Sequence, residues 1–216
     1  MFIGHFAFGY AAKGVNRQSS LGTNFIAAQF IDLLWPFLLL AGIEKVSIDP
    51  GNTAFTPLSF DHYPYSHSLL FVALWAALFG LLYYIIKKDR RSALVLAVLV
   101  LTHWFLDLLV HRPDLPLTVD ENLKFGLGLW NNRLATVILE ITLFVIGIYI
   151  YMRSTTAIDK IGRIGHWILI ALFLAIYFMN LAGDPPPNAE AIGYVGMAQW
   201  LFVAFAYWVD KHRKAV

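Results

Sequence analysis

Cysteine is absent from the 216 residues, which excludes disulfides, thiolate metal sites and a cysteine nucleophile together. Charge is scarce as well. Asp, Glu, Lys and Arg make up 14% of the chain, against about 25% in ordinary soluble domains. No basic stretch precedes the apolar residues Met1 to Ala12, and Lys13 follows them instead, so a cleaved signal peptide is not expected. The apolar runs lack two-residue alternation, which argues against strands closed into a barrel. Gly126-Leu-Gly128 follows no strand pattern and lacks a third glycine, so it is a loop feature and not a dinucleotide fingerprint.

What the chain has in abundance is hydrophobicity, at 59% of residues and a mean hydropathy of +0.63. Apolar runs near 21–42, 67–86, 92–111, 132–152, 164–183 and 191–209 each approach the roughly 20 residues needed to cross a bilayer core. The expected fold is all-α, a polytopic membrane helix bundle of about six transmembrane helices plus a short N-terminal membrane-embedded helix. Residues 1–216 are read as a single membrane domain.

Basic residues divide unevenly between the two sides implied by six spans. Lys13, Arg17, Lys87, Lys88, Arg90, Arg91, Arg153, Lys160, Arg163, Lys211, Arg213 and Lys214 fall on one side; Lys45, Arg112, Lys124 and Arg133 fall on the other. The positive-inside rule then puts both termini in the cytoplasm. Since topology accounts for the basic groups, the net charge of +2 gives no reason to expect a nucleic-acid partner; membrane lipids are the expected surroundings. Two long connections, 43–66 and 112–131, lie on the other side, and loops of that length often carry function.

Against this apolar background, Leu101-Thr-His-Trp-Phe-Leu-Asp-Leu-Leu-Val-His111 places His103, Asp107 and His111 four residues apart. Such a series drifts by about 40° per step, so the three side chains share one helix face. Two imidazoles and a carboxylate on one face form a candidate metal site. Asp32 and Glu140 also fall inside apolar runs. Three buried carboxylates would cost roughly 8 to 10 kcal/mol without compensation. A divalent cation, a neutral acid or hydrogen bonds to Arg133, Thr136 and Gln29 would offset that cost.

Counting about 1.5 Å per residue from the cytoplasmic ends puts Asp32, His103, Asp107 and Glu140 at about 15, 16, 22 and 20 Å. His5 reaches about 12 Å if residues 1–12 form a half-helix entering the bundle. His111 and His67 fall near the outer surface. At a helix start, His67 or Ser66 is placed to act as a cap. His166 and His212, at the cytoplasmic ends of the last two helices, are expected to play interfacial or dipole roles.

His5 with nearby Gly9, Asp32-Leu-Leu-Trp-Pro36, Tyr65-Ser-His-Ser68 and His103-x-x-x-Asp107 occur in an order that resembles the small bacterial inner-membrane metal-dependent hydrolases of the YdjM type. The resemblance covers residues 1–152, a hydrolase-like core; residues 153–216 add two helices. It implies a bacterial inner-membrane location and makes His5, Asp32, His67, His103 and Asp107 metal-site residues. Geometry adds His111 and Glu140. Two departures stand out: a Pro-Asp-x-Asp element is reduced to Asp32, and an Arg usually near the His-Ser element is missing around Asp61-His-Tyr63. Arg112 or Arg133 would supply the missing positive charge.

The mechanism expected on this basis is metal-activated hydrolysis of an ester or phosphoester carried by a lipid or other amphiphile. Zinc is the expected divalent ion, Glu140 the base and Arg133 the group that stabilises developing charge. Two rival classes are an ion- or proton-coupled transporter and a noncatalytic membrane protein with a structural metal. The sequence carries no paired broken segments of the kind that inverted-repeat transporters display.

Overall fold

The computed structural model describes residues 1–216 and is a bundle of helices. Helix α1 (Ile3–Val15) lies buried among the others, followed by α2 (Leu21–Ala28) and α3 (Phe30–Leu40). A hairpin of β1 (Lys45–Ile48) and β2 (Leu58–His62) leads into the short α4 (Pro64–His67), then α5 (Leu69–Lys87) and α6 (Arg90–Val110). A two-residue pairing of β3 (Leu115–Pro116) with β4 (Lys124–Phe125) and a 3-10 turn precede α7 (Arg133–Ser154). Strand β5 (Thr155–Ala157), α8 (Lys160–Ala182), α9 (Ala189–Met197), α10 (Gln199–Lys211) and β6 (Arg213–Ala215) complete the chain, with β6 antiparallel to β5.

Local chemistry explains where these helices begin. Ser20, Ser68, Asp89, Asn132, Asp159 and Asn188 each accept a hydrogen bond from the backbone N–H three residues on, satisfying a donor that the first helical turn leaves unpaired. Helix α5 is thus capped by Ser68, which leaves His67 and Ser66, the two candidates for that role, free for other contacts.

Five helical stretches are long and apolar enough to cross a membrane: α5, α6, α7, α8 and Ala189–Lys211, which joins α9 and α10. The run 21–42, expected as one helix, is two, bent by 58°. Polar chemistry sits at the bend. The Gln29 side chain donates to Asp32 Oδ2 (3.1 Å) and to Gln199 Oε1 (2.6 Å), holding the break from both sides. The last span is also interrupted, at Ala198 between α9 and α10. Leu74, Leu81, Ile138 and Val145 are exposed on α5 and α7, so the bundle turns apolar side chains outward as a multi-pass membrane protein does.

Two large apolar clusters and a smaller one around Leu106, Val110 and Trp130 fill the interior. One of the large clusters gathers Phe6, Phe25, Phe144, Phe173 and Phe202 around α1; the other gathers Ile31, Trp35, Leu96, Val100 and Trp104 around α3 and α6. Helix α1 reaches α7 because Gly147 has no side chain: a Cβ there would sit 2.3 Å from the Ala7 carbonyl oxygen. Small residues commonly permit such backbone approach between membrane helices. The contact sets α1 beside α7 and, with it, His5 and Glu140.

Candidate metal centre

Two overlapping groups of potential ligands occupy the middle of the bundle: His5 with His103 and Asp107, and Asp32 with His67 and His103. Each element delivers its residue for a stated reason. The break at Gln29 puts Asp32 in the first turn of α3, where the helix dipole favours a carboxylate. The turn α4 carries His67 inward, and α6 presents His103 and Asp107 on one face as their spacing requires. One imidazole lone pair serves one cation, so two groups that share His103 would not both hold an ion through it.

Hydrogen bonds outside the centre set which nitrogen faces it. His103 Nδ1 lies 3.1 Å from the Ala28 carbonyl oxygen, which can only accept; Nδ1 therefore carries the proton and Nε2 the lone pair. That Nε2 lies 3.1 Å from Asp107 Oδ2 and 3.6 Å from Asp32 Oδ1, yet is buried without a hydrogen-bond partner. His67 Nε2 lies 3.4 Å from Asp32 Oδ1 and 4.0 Å from Asp107 Oδ2. Two imidazole nitrogens and two carboxylate oxygens thus converge, with His103 Nε2 unpartnered among them. Tetrahedral zinc, with ligands at about 2.0 to 2.2 Å, needs donor separations of roughly 3.3 to 3.6 Å. The separations here run from 3.1 to 4.0 Å, and each group of three keeps its ligand atoms within 4.8 Å of one another, so the cluster could hold a metal ion.

His5 belongs to the other group, with His103 and Asp107. Its ring stacks parallel on His103 at 3.6 Å, and its Nε2 lies 3.0 Å from Asp107 Oδ1, an oxygen that also accepts from the Met1 nitrogen at 2.9 Å. Asp107 is therefore held through one oxygen and offers the other. Glu140 is linked to the same region by one residue of chain: its Oε2 accepts from the backbone N–H of Phe2 (3.0 Å) and Gly4 (3.2 Å). It satisfies the orphan donors at the start of α1, while its Oε1 is buried without a partner.

The structure separates three residues from the arrangement expected of them. His111 does not join the centre. It ends α6, and its Nδ1 lies 2.9 Å from Asp114 Oδ1 beneath the Trp130 ring; two further turns of α6 beyond His103 carry it into the loop layer. Arg133 is exposed at the start of α7, where its guanidinium donates to the Leu181 carbonyl oxygen and not to Glu140. His166 is buried between Tyr10 and Tyr151, with neither ring nitrogen partnered, instead of lying at an interface.

Asp114 organises a second polar cluster around His111. It accepts from the Tyr63 hydroxyl (3.2 Å) through Oδ1 and from Arg112 Nε (3.1 Å) through Oδ2, while Arg112 also bonds Asn52 and, at 3.1 Å, Ser59. Burial, with the Asp114 carboxylate beside it, holds the Tyr63 phenol well above its ordinary value near 10, so it remains a donor. These contacts tie the 112–131 connection to the β1–β2 hairpin.

Neither Glu44 nor the use of Ser66 is visible in the sequence pattern. Glu44 is buried, and both its oxygens are engaged by Ser66: Oε1 by the backbone N–H at 2.8 Å, Oε2 by the hydroxyl at 2.6 Å. Glu44 lies in an irregular connection with no periodic pattern to mark it, whereas Ser66 adjoins His67 within Tyr65-Ser-His-Ser68. No family model, curated protein or solved structure matches the chain.

Proposed function

We propose that this protein is a membrane-embedded metal-dependent hydrolase of an ester or phosphoester carried by a lipid or other amphiphile. The observation that carries the reading is the convergence of His67 Nε2, His103 Nε2, Asp32 Oδ1 and Asp107 Oδ2 in the bundle interior, with His103 Nε2 buried and unpartnered. These residues would hold the cation, and zinc suits a set of imidazoles and carboxylates without thiolates. When bound, such an ion supplies Lewis acidity, polarising an ester or phosphoester oxygen and lowering the pKa of water to about 7.

The chain's own groups do the rest. His5 and Ala28 orient Asp107 and His103 from outside, as partners of metal ligands commonly do. Glu140 Oε1 takes the proton of the attacking water as its oxygen bonds to the acyl carbon or phosphorus, and returns it to the departing alkoxide. Asp32, about one-fifth exposed while His67, His103 and Asp107 are buried, marks the side from which substrate enters. The resemblance of the motif order to YdjM-type hydrolases is in keeping with the same chemistry and a bacterial inner-membrane setting, and the distribution of basic residues with both termini cytoplasmic.

The test is hydrolysis of a panel of lipid esters and lipid phosphates in detergent, before and after chelation and zinc replacement. Turnover that disappears with the metal and returns with zinc, and that Glu140→Gln abolishes without loss of bound metal, is expected. Metal-dependent flux into proteoliposomes with no turnover of any member of the panel would instead assign the centre to transport.

A further inference from the structure

We infer that Glu44, acting through Ser66, is the positioning residue that fixes His67 in the tautomer able to bind a cation. Its use for metal binding rests on the reading above; the tautomer itself does not. Glu44, Ser66 and His67 are buried to within 3% of full enclosure, so water does not compete for their hydrogen bonds. A carboxylate only accepts. The Ser66 hydroxyl lies 2.6 Å from Glu44 Oε2 and 3.4 Å from the Tyr63 carbonyl oxygen; the shorter, charge-assisted bond takes its single proton and turns a lone pair to His67 Nδ1, also 2.6 Å away.

That lone pair needs a donor, so Nδ1 carries the hydrogen and Nε2 is left bare. The bare nitrogen is the one directed at Asp32 Oδ1 and Asp107 Oδ2. His103 reaches the same state through the Ala28 carbonyl. Two different acceptors, a peptide oxygen and a carboxylate relayed by a serine, thus impose one tautomer on both imidazoles. Glu44 also holds the Ser66 N–H, which steadies the short turn that carries His67.

Glu44→Gln reverses the polarity of the relay. An amide N–H facing Ser66 Oγ turns the hydroxyl proton toward His67 Nδ1, moving the imidazole hydrogen to Nε2. Ser66→Ala leaves Glu44 its backbone contact and cuts the relay alone. The experiment is ¹⁵N NMR of the histidine rings in metal-free, detergent-solubilised full-length protein, paired with zinc titration of the same samples; His67→Gln assigns the resonance.

The parent is expected to show His67 protonated at Nδ1. Both variants should lose that signature and bind zinc 10- to 100-fold more weakly, about the loss typical when the outer partner of a metal ligand is removed, while Ser66→Thr, which keeps the hydroxyl, restores both. A parent with the hydrogen on Nε2, or variants that leave the tautomer unchanged, overturns the inference. A tautomer that shifts as expected in a protein that binds no zinc upholds the relay and overturns the metal reading instead.

Discussion

Two buried His and Asp clusters lie along α6, and they differ in how completely they are paired. Around His111, the acceptors of Asp114 face an imidazole, a phenol and a guanidinium. Around His103, two carboxylate oxygens and two imidazole nitrogens face one another. Residue types are nearly the same in both; donor supply is not. The outer cluster closes on itself and fastens two connections together, whereas the inner one turns Asp32 Oδ1 and Asp107 Oδ2 toward two imidazole nitrogens, an arrangement that could hold a metal ion. The presence of Arg112 and Tyr63 therefore separates a fully paired His and Asp cluster from one that could hold a metal ion.

Substitutions can sharpen or break that contrast. The largest effect is expected at the inner cluster, where Asp32→Asn should weaken zinc binding by more than about 100-fold, beyond the usual loss for an outer partner. Asp114→Ala should leave zinc affinity within about threefold while costing about 1 to 3 kcal/mol of stability, because buried donors lose their acceptor; thermal denaturation and titration of one preparation would separate the two readouts. A shared loss of zinc would join the clusters and remove the distinction.

Tyr63→Phe should cost about 0.5 to 1.5 kcal/mol, the net contribution of one hydrogen bond. Its folded-state pKa is raised, so the protonated phenol's contribution is fully present below about pH 10 and is lost only as pH rises beyond that. The gap between parent and Tyr63→Phe stability should accordingly stay constant from about pH 6 to 9, as chemical denaturation across that range would show. The smallest effect belongs to Arg133→Ala. Exposed and bonded only to a backbone oxygen, it should change stability by less than about 0.5 kcal/mol and leave zinc affinity alone.

Part of this contrast is legible in the amino-acid sequence. Helical periodicity puts His103 and Asp107 on one face, and rise per residue brings Asp32 and His5 to their level. The same periodicity groups His111 with them, because spacing along a helix reports direction but not where the helix ends. The 58° bend between α2 and α3 is hidden because its residues remain apolar enough to read as one span. Its cause, Gln29 bonded to Asp32 and to Gln199, joins residues 170 positions apart. Glu44 is silent for the same reason: its chemistry depends on a partner 22 residues away, which no local pattern encodes. Glu140 stands out as a carboxylate in an apolar run, but its hold on the start of α1 depends on the packing that Gly147 permits.

The most direct test of the account is zinc titration of the purified, metal-stripped parent beside His103→Ala and His111→Ala, with metal content measured on each. The account predicts about one equivalent bound by the parent, retained by His111→Ala and lost by His103→Ala while its helical content is preserved. A parent that binds no metal, or a folded His103→Ala that binds as the parent does, would contradict it.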